Sequence, residues 1–301
     1  MSPKPAKQTS KSEPTSSTLT SFYKRTAQSS SPNQRQNQGR DGLGAYLADP
    51  GSQAAAGGGR VVFWDDEFVA IQDLYPKASV HCLLLVRDPV LRRRHPFDAF
   101  GGPPNDPDPD PASAALLAAA RPRAARLKSF VAKELQRRFG PFSRLDARRE
   151  AVLSGEEAVP DPDPVPEAEV NASDGTPSDQ QHQQQQQQRK LPPGRDWEAE
   201  VLVGVHAHPS MNDLHVHVVS RDLRSPSLRH RRHYNAFATP FLVPLADLPL
   251  AADDPRRHPG RDGEGYLAAD LRCWRCGANF GNRFARLKEH LEVEFDAWKR
   301  Q

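Results

Sequence analysis

The chain has 301 residues, 29 of them proline, and a mean hydropathy of −0.73. Its formal net charge of +3 and pI of about 8.8 favour an acidic partner only weakly. Three cysteines are too few for a disulfide-stapled secreted protein, and no run approaches the roughly 18 apolar residues of a membrane-spanning helix. The composition therefore predicts a soluble intracellular protein.

Two segments are too polar to fold on their own. Residues 1–40 are rich in Ser, Gln, Lys and Pro, and residues 155–196 carry "VPDPDPVPEAEV" and then "QQHQQQQQQRK". Such segments bury too little apolar surface to offset the loss of chain entropy, so we expect a disordered tail and a disordered insert. The remainder suffices for one domain and a small appendage.

The first apolar stretch is "DGLGAYLADP", within a predicted short helix and Gly-rich linker at 41–58. Leu43, Tyr46 and Leu47 share one face if the stretch is helical, and Pro50 with Gly51 would end the helix.

The next segments predict a sheet and a long helix. Val61–Trp64, Phe68–Gln72 and Val80–Val86 read as strands separated by turns. "PFDAFGGPPNDPDPDP" reads as a loop, and 112–139 reads as a helix that Pro122 should kink or split.

After the helix candidate "SRLDARREAVL" and the insert, "WEAEVLVGVHA" and "LHVHVVSRD" predict two more strands. Strands, a helix and further strands indicate an α+β domain with an antiparallel sheet. We place this domain at 59–250, a linker at 251–263 and a separate small domain at 264–301.

Four histidines lie within twelve positions of "HAHPSMNDLHVHVVSRD". His215 and His217 project to the same side of a strand, and His206 joins them if the two strands form a hairpin. Ser210 and neighbouring amides could cap such a pocket, which suits a phosphate. An imidazole can attack phosphorus directly.

Two other interpretations of the cluster stand beside this one. Two histidines on one strand face can be ordinary structural residues. Imidazoles two apart can also hold zinc, with Asp213 as a carboxylate ligand.

The C-terminal segment has the ligand count and spacing of a tetrahedral structural zinc site. Cys-x2-Cys is followed after 13 residues by His-x3-Glu, which gives Cys273, Cys276, His290 and Glu294. Two buried cysteines beside a helix are the alternative. Arg283, Arg286 and Lys288 on the same helix would suit contact with phosphates.

The whole pattern resembles the histidine-triad superfamily, and within it the fungal form of the aprataxin branch. The triad motif appears as "DLHVHVV", with Asp213 in the first histidine position. "DLYPKASVHCLLLV", "HAHPSMNDLHVHVVSRDLRSPSLRHRRHYNAF" and "LRCWRCGANFGNRFARLKEHLEVEFDAW" extend the resemblance to an upstream strand pair, the active-site segment and a zinc finger. The resemblance implies a histidine-triad sheet with helices.

The resemblance also implies a hydrolase that removes AMP from 5′-adenylated DNA ends left by abortive ligation. His215 would form a covalent AMP intermediate, and His217 would hold the α-phosphate. His206 would help with charge and proton transfer at the leaving phosphate. We hypothesise that Asp213 orients an imidazole or raises its pKa.

Further contacts are implied by the same resemblance. Asp73 would hold the ribose, and Ser210 with either Arg229 or Arg232 would hold phosphate. The DNA contacts would be Lys77, Arg224, Ser225 and Tyr46, with ordinary packing as an equal alternative for Tyr46.

The expected partners and cofactors follow from the resemblance as well. They are one structural zinc ion with no catalytic metal, AMP as product, and DNA, with RNA–DNA junctions and 3′-guanylated ends as further substrates. No membrane is expected, protein partners are unassigned, and the expected localisation is the nucleus, with the cytoplasm second. The alternatives are a non-catalytic zinc-finger DNA-binding protein and a hydrolase of small nucleotides.

Overall fold

A computed structural model describes residues 39–55, 59–102, 104–105, 108, 110–160, 191–258 and 264–301. Most of the predicted tail and the centre of the predicted insert lie outside the described residues. The described residues from 40 to 301 form one compact unit. In the described part of the chain, no helix is both long and apolar enough to cross a membrane.

The domain is built on a six-stranded antiparallel sheet in the order β1-β2-β3-β5-β4-β6. The three N-terminal strands match their predicted bounds within one residue, and the predicted hairpin between the two histidine-bearing strands is confirmed. The strands are β1 Val61–Trp64, β2 Phe68–Gln72, β3 His81–Val86, β4 Val201–His206, β5 His215–Ser220 and β6 Leu242–Pro244.

Helices cover both faces of the sheet and carry the connections. They are α1 Gly44–Ala48, α2 Pro50–Ala55, α3 Pro96–Ala99, α4 Pro111–Phe139, α5 Ala147–Ser154, α6 Arg231–Ala238, α7 Glu264–Leu267 and α8 Phe284–Lys299. The α+β class with an antiparallel sheet is therefore confirmed.

Three proline positions differ from expectation. Pro50 follows the end of α1 but also begins α2, and Pro96 begins α3 inside the predicted loop. Both changes are compatible with proline at a first helical position, where its missing N–H is not needed. Helix α4 is not split at Pro122, because Ala120 and Ala124 on either side are buried against the sheet.

The two faces of the sheet carry different partners because strand residues alternate. Helix α4 packs over β3, β5 and β4 on one face. On the other face, α1 completes a second apolar cluster, which consists of Leu43, Leu47, Val69, Ile71, Leu83 and Leu85. His215 and His217 lie on this second face, opposite Leu85 and Leu83 in the register.

Gly204 of β4 is paired with His217 of β5 on one side and with β6 on the other. A Cβ atom there would lie 2.4 Å from the carbonyl oxygen of Val243 in β6. Glycine therefore allows β6 to approach the strand beside the histidines.

The C-terminal segment shares its core with the sheet domain. A hairpin of β7 (Leu271–Arg272) and β8 (Asn279–Gly281) precedes α8. Buried side chains of α8, including Leu287 and Trp298, belong to the same apolar cluster as the sheet and α4. The finger is thus packed as part of one unit.

Arg195 lies inside the stretch predicted to be disordered, yet it is buried in a network of three elements. Its guanidinium donates to the Trp298 carbonyl (2.6 Å) and to Glu200 (2.8 Å). It also lies 4.4 Å and 4.9 Å from the ring centroids of Trp197 and Trp298. The packed chain therefore resumes before residue 196, the predicted end of the insert, because two tryptophans and a carboxylate hold this arginine in place.

We expect Arg195→Met to lower the free energy of unfolding by about 3 kcal/mol, because it leaves a mostly buried Glu200 without its counter-charge. Chemical denaturation measures the change. Arg137→Met is the matched control, since that side chain is 70% exposed and its removal should not change the denaturation midpoint measurably. Equal losses in the two variants would contradict this account of Arg195.

Candidate active site and zinc centre

Four imidazoles meet on the second face of the sheet. His217 is central, with ring-centroid distances of 4.1 Å to His206, 4.8 Å to His215 and 5.2 Å to His81. Strand alternation places His215 and His217 on one side of β5, and β4 and β3 supply His206 and His81. The three predicted histidines therefore lie together, and a fourth joins them.

A backbone hydrogen bond orients His215. Its Nδ1 lies 2.7 Å from the carbonyl oxygen of Asp213. A carbonyl can only accept, so Nδ1 carries the proton and Nε2 carries the lone pair in the neutral ring. The nitrogen that can act as a nucleophile is thereby fixed.

A second chain of contacts runs through His81. Its Nε2 lies 3.0 Å from His217 Nδ1, and its Nδ1 lies 3.2 Å from Asp73 Oδ2. The Lys77 amide is 3.3 Å from the same Nδ1. Asp73 thus contacts the histidine cluster from its edge, at the position predicted to meet ribose.

Aromatic side chains keep water away from the cluster. The Phe237 ring lies 4.9 Å from His206, 5.1 Å from His217 and 5.3 Å from His81, and Phe241 lies 5.1 Å from His206. Burial in this environment opposes the charged imidazolium.

The pKa values of all four histidines are lowered by burial. The pKa values of His206 and His217 lie well below 6.5, because neighbouring imidazoles and Lys77 add to the effect of burial. Burial lowers the pKa of His81 to about 4 and also lowers that of His215. The cluster is therefore neutral at pH 7.

Two buried ring nitrogens are suited to bind an anion. Among the described residues, neither His206 Nε2 nor His217 Nε2 has a hydrogen-bond partner. Buried polar atoms are seldom left unpaired, and the oxygen atoms of a bound phosphate would satisfy each of these nitrogens when it carries a proton.

The charge of the Asp213 carboxylate acts on the pKa of His215 in the direction hypothesised, but the carboxylate does not orient the ring. The carboxylate is fully buried beside Arg92 and Arg93, at 3.5 Å and 3.4 Å. The carbonyl, and not the carboxylate, orients His215. Burial lowers the pKa of His215, and the opposing effect of the Asp213 charge is smaller.

The predicted phosphate contacts Ser210, Arg229 and Arg232 are exposed, and the predicted DNA contact Lys77 lies near one of them. Ser210 is exposed in the loop between β4 and β5. The ammonium group of Lys77 donates to the Tyr75 carbonyl. Burial lowers the pKa of Lys77, and the charge of Arg229 acts in the same direction. Arg229 is therefore near Lys77, and Arg232 lies on α6.

The predicted DNA contacts have different environments. Ser225 is buried and its hydroxyl donates to the Pro76 carbonyl (2.5 Å), so it holds the turn before Lys77. Arg224 is exposed and pairs with Glu292 of α8 (2.6 Å).

Tyr46, the remaining predicted DNA contact, is half-buried on α1. Its hydroxyl accepts from Arg60 (2.8 Å), and the Arg60 guanidinium lies 5.1 Å from the ring centroid. Packing of Tyr46 against the domain still leaves part of its side chain exposed.

The four predicted zinc ligands converge. Their ligand atoms in Cys273, Cys276, His290 and Glu294 all lie within 4.8 Å of one another. Cys276 Sγ is 3.1 Å from His290 Nε2, which is 3.3 Å from Glu294 Oε1. Tetrahedral zinc with bonds of about 2.0–2.3 Å separates its ligands by roughly 3.6 Å, so this donor set fits the ion. Arg275 donates to the other Glu294 oxygen at 2.7 Å.

Helix α6 joins the zinc centre to the histidine cluster. Its Phe237 lines the cluster, and its Tyr234 hydroxyl donates to the Arg272 carbonyl (2.8 Å) and accepts from the Trp274 amide (3.0 Å). Asn235 donates to the Ala269 carbonyl (2.8 Å). The finger therefore supports one wall of the candidate site.

The sequence analysis missed His81, Phe237, Phe241 and helix α6 as parts of the site. His81 begins the strand "HCLLLV", where a polar residue stands at the start of an otherwise apolar run. That polar residue is the signal that could have identified it. Phe237 gives no such signal, because its role depends on where α6 packs.

The histidine cluster predicts that stability falls on mild acidification. The pKa of His81 is about 4 when folded and near 6.5 when unfolded, so the unfolded chain binds the extra proton between these values. The stability that neutral His81 contributes is fully present above about pH 6.5. The free energy of unfolding then falls by up to about 3 kcal/mol towards pH 4.

Denaturation of the protein and of His81→Gln at pH 7 and pH 4.5 tests this expectation. The free energy of unfolding should fall less with pH in the variant. His258→Gln, at an exposed histidine, controls for the substitution. Parallel losses in His81→Gln and the unaltered protein would count against a neutral, buried His81.

Family models match most of the described chain. The HIT domain model matches residues 58–223, and the model of the C2HE / C2H2 / C2HC zinc-binding finger matches residues 238–297. The first match covers β1 to β5 with all four histidines, and the second covers the four zinc ligands.

Several aprataxin proteins are similar in sequence. The aprataxin-like protein of Schizosaccharomyces pombe is 28% identical over 272 residues, which is 88% of this chain and 84% of that protein. The aprataxin-like protein of Saccharomyces cerevisiae is 45% identical over 101 residues, 32% of this chain and 45% of that protein. A crystal structure of the aprataxin ortholog Hnt3 in complex with DNA is 28% identical, with a TM-score of 0.48, and the match covers 86% of this chain and 96% of that one. This chain belongs to the HIT-domain family, in the aprataxin-like form that carries a C2HE zinc finger.

Proposed function

We propose that the protein hydrolyses the pyrophosphate linkage of 5′-adenylated DNA ends and releases AMP. The observation that carries the proposal is the hydrogen bond from His215 Nδ1 to the Asp213 carbonyl, which leaves the Nε2 lone pair available beside two unpaired imidazole nitrogens. The similarity to aprataxin-like proteins selects the adenylated end among the substrates that such a site accepts.

In the first step, His215 Nε2 attacks the phosphorus of the AMP group. The bond from this phosphorus to the bridging oxygen breaks, and the oxygen leaves with the DNA 5′-phosphate. His217 donates a hydrogen bond to a non-bridging oxygen. His206 takes up a proton when the anionic substrate binds, because the negative charge raises its pKa, and it transfers that proton to the leaving oxygen and returns to the neutral imidazole.

In the second step, water attacks the same phosphorus. The nitrogen–phosphorus bond breaks, its electron pair returns to Nε2, and AMP leaves. The proton that the water loses passes to His206, which gave one up in the first step. The Asp213 carbonyl holds the Nδ1 proton throughout, so His215 regains its original tautomer.

The surroundings of the cluster favour a polyanionic substrate. Lys77 and Arg229 lie at its rim, where they can attract the phosphates of a DNA end. Exposed Arg283, the N-cap residue of α8, and exposed Arg286 on α8 supply further cations at the finger. Arg229, whose charge reaches Lys77, is the better candidate than Arg232 for the rim phosphate contact.

The proposal also covers further substrates, the role of the zinc ion and the localisation. RNA–DNA junctions and 3′-guanylated ends are further substrates of the same site. One zinc ion serves structure only, because the imidazoles supply both nucleophile and hydrogen-bond donors. Repair of chromosomal DNA places the protein in the nucleus.

Incubation with a 5′-adenylated nicked duplex, without added metal, should release AMP. His215→Ala should lose about 1,000-fold or more in rate, since no other group replaces the nucleophile. His206→Ala should lose roughly 100-fold, as expected for loss of proton transfer. Denaturing electrophoresis should trap AMP on the unaltered protein but not on His215→Ala.

His258→Ala, at an exposed histidine, controls for the loss of an imidazole. DNA binding without AMP release would instead indicate a non-catalytic DNA-binding protein. Turnover of adenosine 5′-phosphoramidate without turnover of the duplex would indicate a hydrolase of small nucleotides.

Metal analysis should find about one zinc per chain. Cys273→Ala should lose the ion and, through α6, lower AMP release as well. Cys82→Ala removes a buried thiol, whose pKa burial raises to about 12, and should keep the zinc. Full zinc content in Cys273→Ala would overturn the ligand assignment.

A further inference from the structure

The carboxylate of Asp213 is a costly feature that neither catalysis nor packing explains. It is fully buried, and within the described residues neither oxygen accepts a hydrogen bond. Its partners, Arg92 and Arg93, approach only to 3.5 Å and 3.4 Å through their Nε atoms. Ion pairs buried in this way contribute little to stability, so the presence of this one points to another role.

Asp213 lies between His215 and the short 3-10 helix Leu91–Arg93, which we call the arginine turn. Its carbonyl accepts from His215 Nδ1 at 2.7 Å. The next amide, of Leu214, donates to the Arg92 carbonyl at 2.7 Å. The main chain around Asp213 therefore joins the orientation of the nucleophile to the position of the arginine turn.

The arginine turn is also fixed to the segment that leads into α1. Arg93 Nη1 lies 2.8 Å from Asp41 Oδ1, which also accepts from Asn212 Nδ2 at 3.0 Å. The main-chain amide of Asn212 donates to the Arg40 carbonyl at 3.1 Å. Residues 40–41 and 212–213 thus share one network of charges and hydrogen bonds.

We propose that Asp213 is a positioning residue that couples the N-terminal helix α1 to His215 through Arg93 and Asp41. A nucleic-acid end held against α1 would then favour the orientation of His215 that attacks phosphorus, whereas a small nucleotide that does not reach α1 would gain nothing from the coupling. This inference rests on the proposed function, because it concerns the difference between the two kinds of substrate.

The coupling also accounts for the residue type at this position of the motif. The carboxylate faces two guanidinium groups. A neutral imidazole in its place would leave both without a buried counter-charge, and Arg93 would lose its link to the strand. Aspartate therefore suits a chain in which the turn beside this position carries two arginines.

The test compares kcat and KM of three variants on a 5′-adenylated nicked duplex and on adenosine 5′-phosphoramidate. Asp41→Asn should lower kcat on the duplex about threefold, the size expected for one exposed ion pair, with KM and phosphoramidate turnover unchanged. Asp213→Asn should lower kcat on the duplex about tenfold or more. The double variant should be no slower than Asp213→Asn, because the link is already broken.

Asp49→Asn is the matched control. Asp49 lies between α1 and α2, where its carboxylate accepts from the Ser52 amide (2.9 Å) and does not bridge to the arginine turn. Its duplex kcat should stay unchanged. Three results would overturn the coupling: additive losses in the double variant, a loss in KM alone, or an equal loss on both substrates in Asp41→Asn.

Amide hydrogen exchange tests the coupling independently of the proposed function. Asp41→Asn should speed exchange in the 212–215 peptide by roughly threefold or more, because residues 40–41, which supply the acceptor of the Asn212 amide, are held less tightly. If the unaltered protein releases no AMP from the duplex, the proposed function fails while this readout still decides the coupling. Unchanged exchange in that peptide would refute the coupling even in an active enzyme.

Discussion

The candidate site depends on the burial of four imidazoles on one face of an antiparallel sheet. Burial keeps the rings neutral at pH 7, and a neutral imidazole offers one lone pair and one N–H. The Asp213 carbonyl then decides which nitrogen of His215 has the lone pair. Nucleophile and hydrogen-bond donors are therefore the same kind of side chain, and their roles differ only through their neighbours.

The zinc finger is connected structurally to this arrangement. Helix α6 places Phe237 against three of the imidazoles, while Tyr234 and Asn235 bind the backbone that leads into the first zinc ligand. On the far side, Trp298 of α8 packs with Arg195 and Glu200 beside β4. The finger and the sheet thus stabilise each other, which explains why they share one apolar core.

Much of this fold could be predicted from local patterns, whereas contacts between distant segments could not. Alternation in "LHVHVV" predicts the shared face of His215 and His217, and ligand spacing predicts the zinc site, since a turn and a helix fix those distances locally. His81 meets His217 across two paired strands, so its role follows only from the register of β3 with β5. The Asp213 carboxylate was expected to face the imidazoles, but it lies just before β5 begins, and the arginines of another turn determine its direction.

Charge is graded from the rim of the site to its interior. Lys77 and Arg229 are cationic at the edge, and the imidazoles behind them are uncharged. A phosphate that enters replaces water with N–H donors, and its negative charge offsets the desolvation that keeps the imidazoles neutral. The pKa values of His206 and His217 should therefore rise when an anion binds, so the rings become better proton donors only once substrate is present. Under the proposed function, burial thus keeps the lone pair of His215 available in the free protein, and the bound anion supplies the protonated imidazole for acid catalysis.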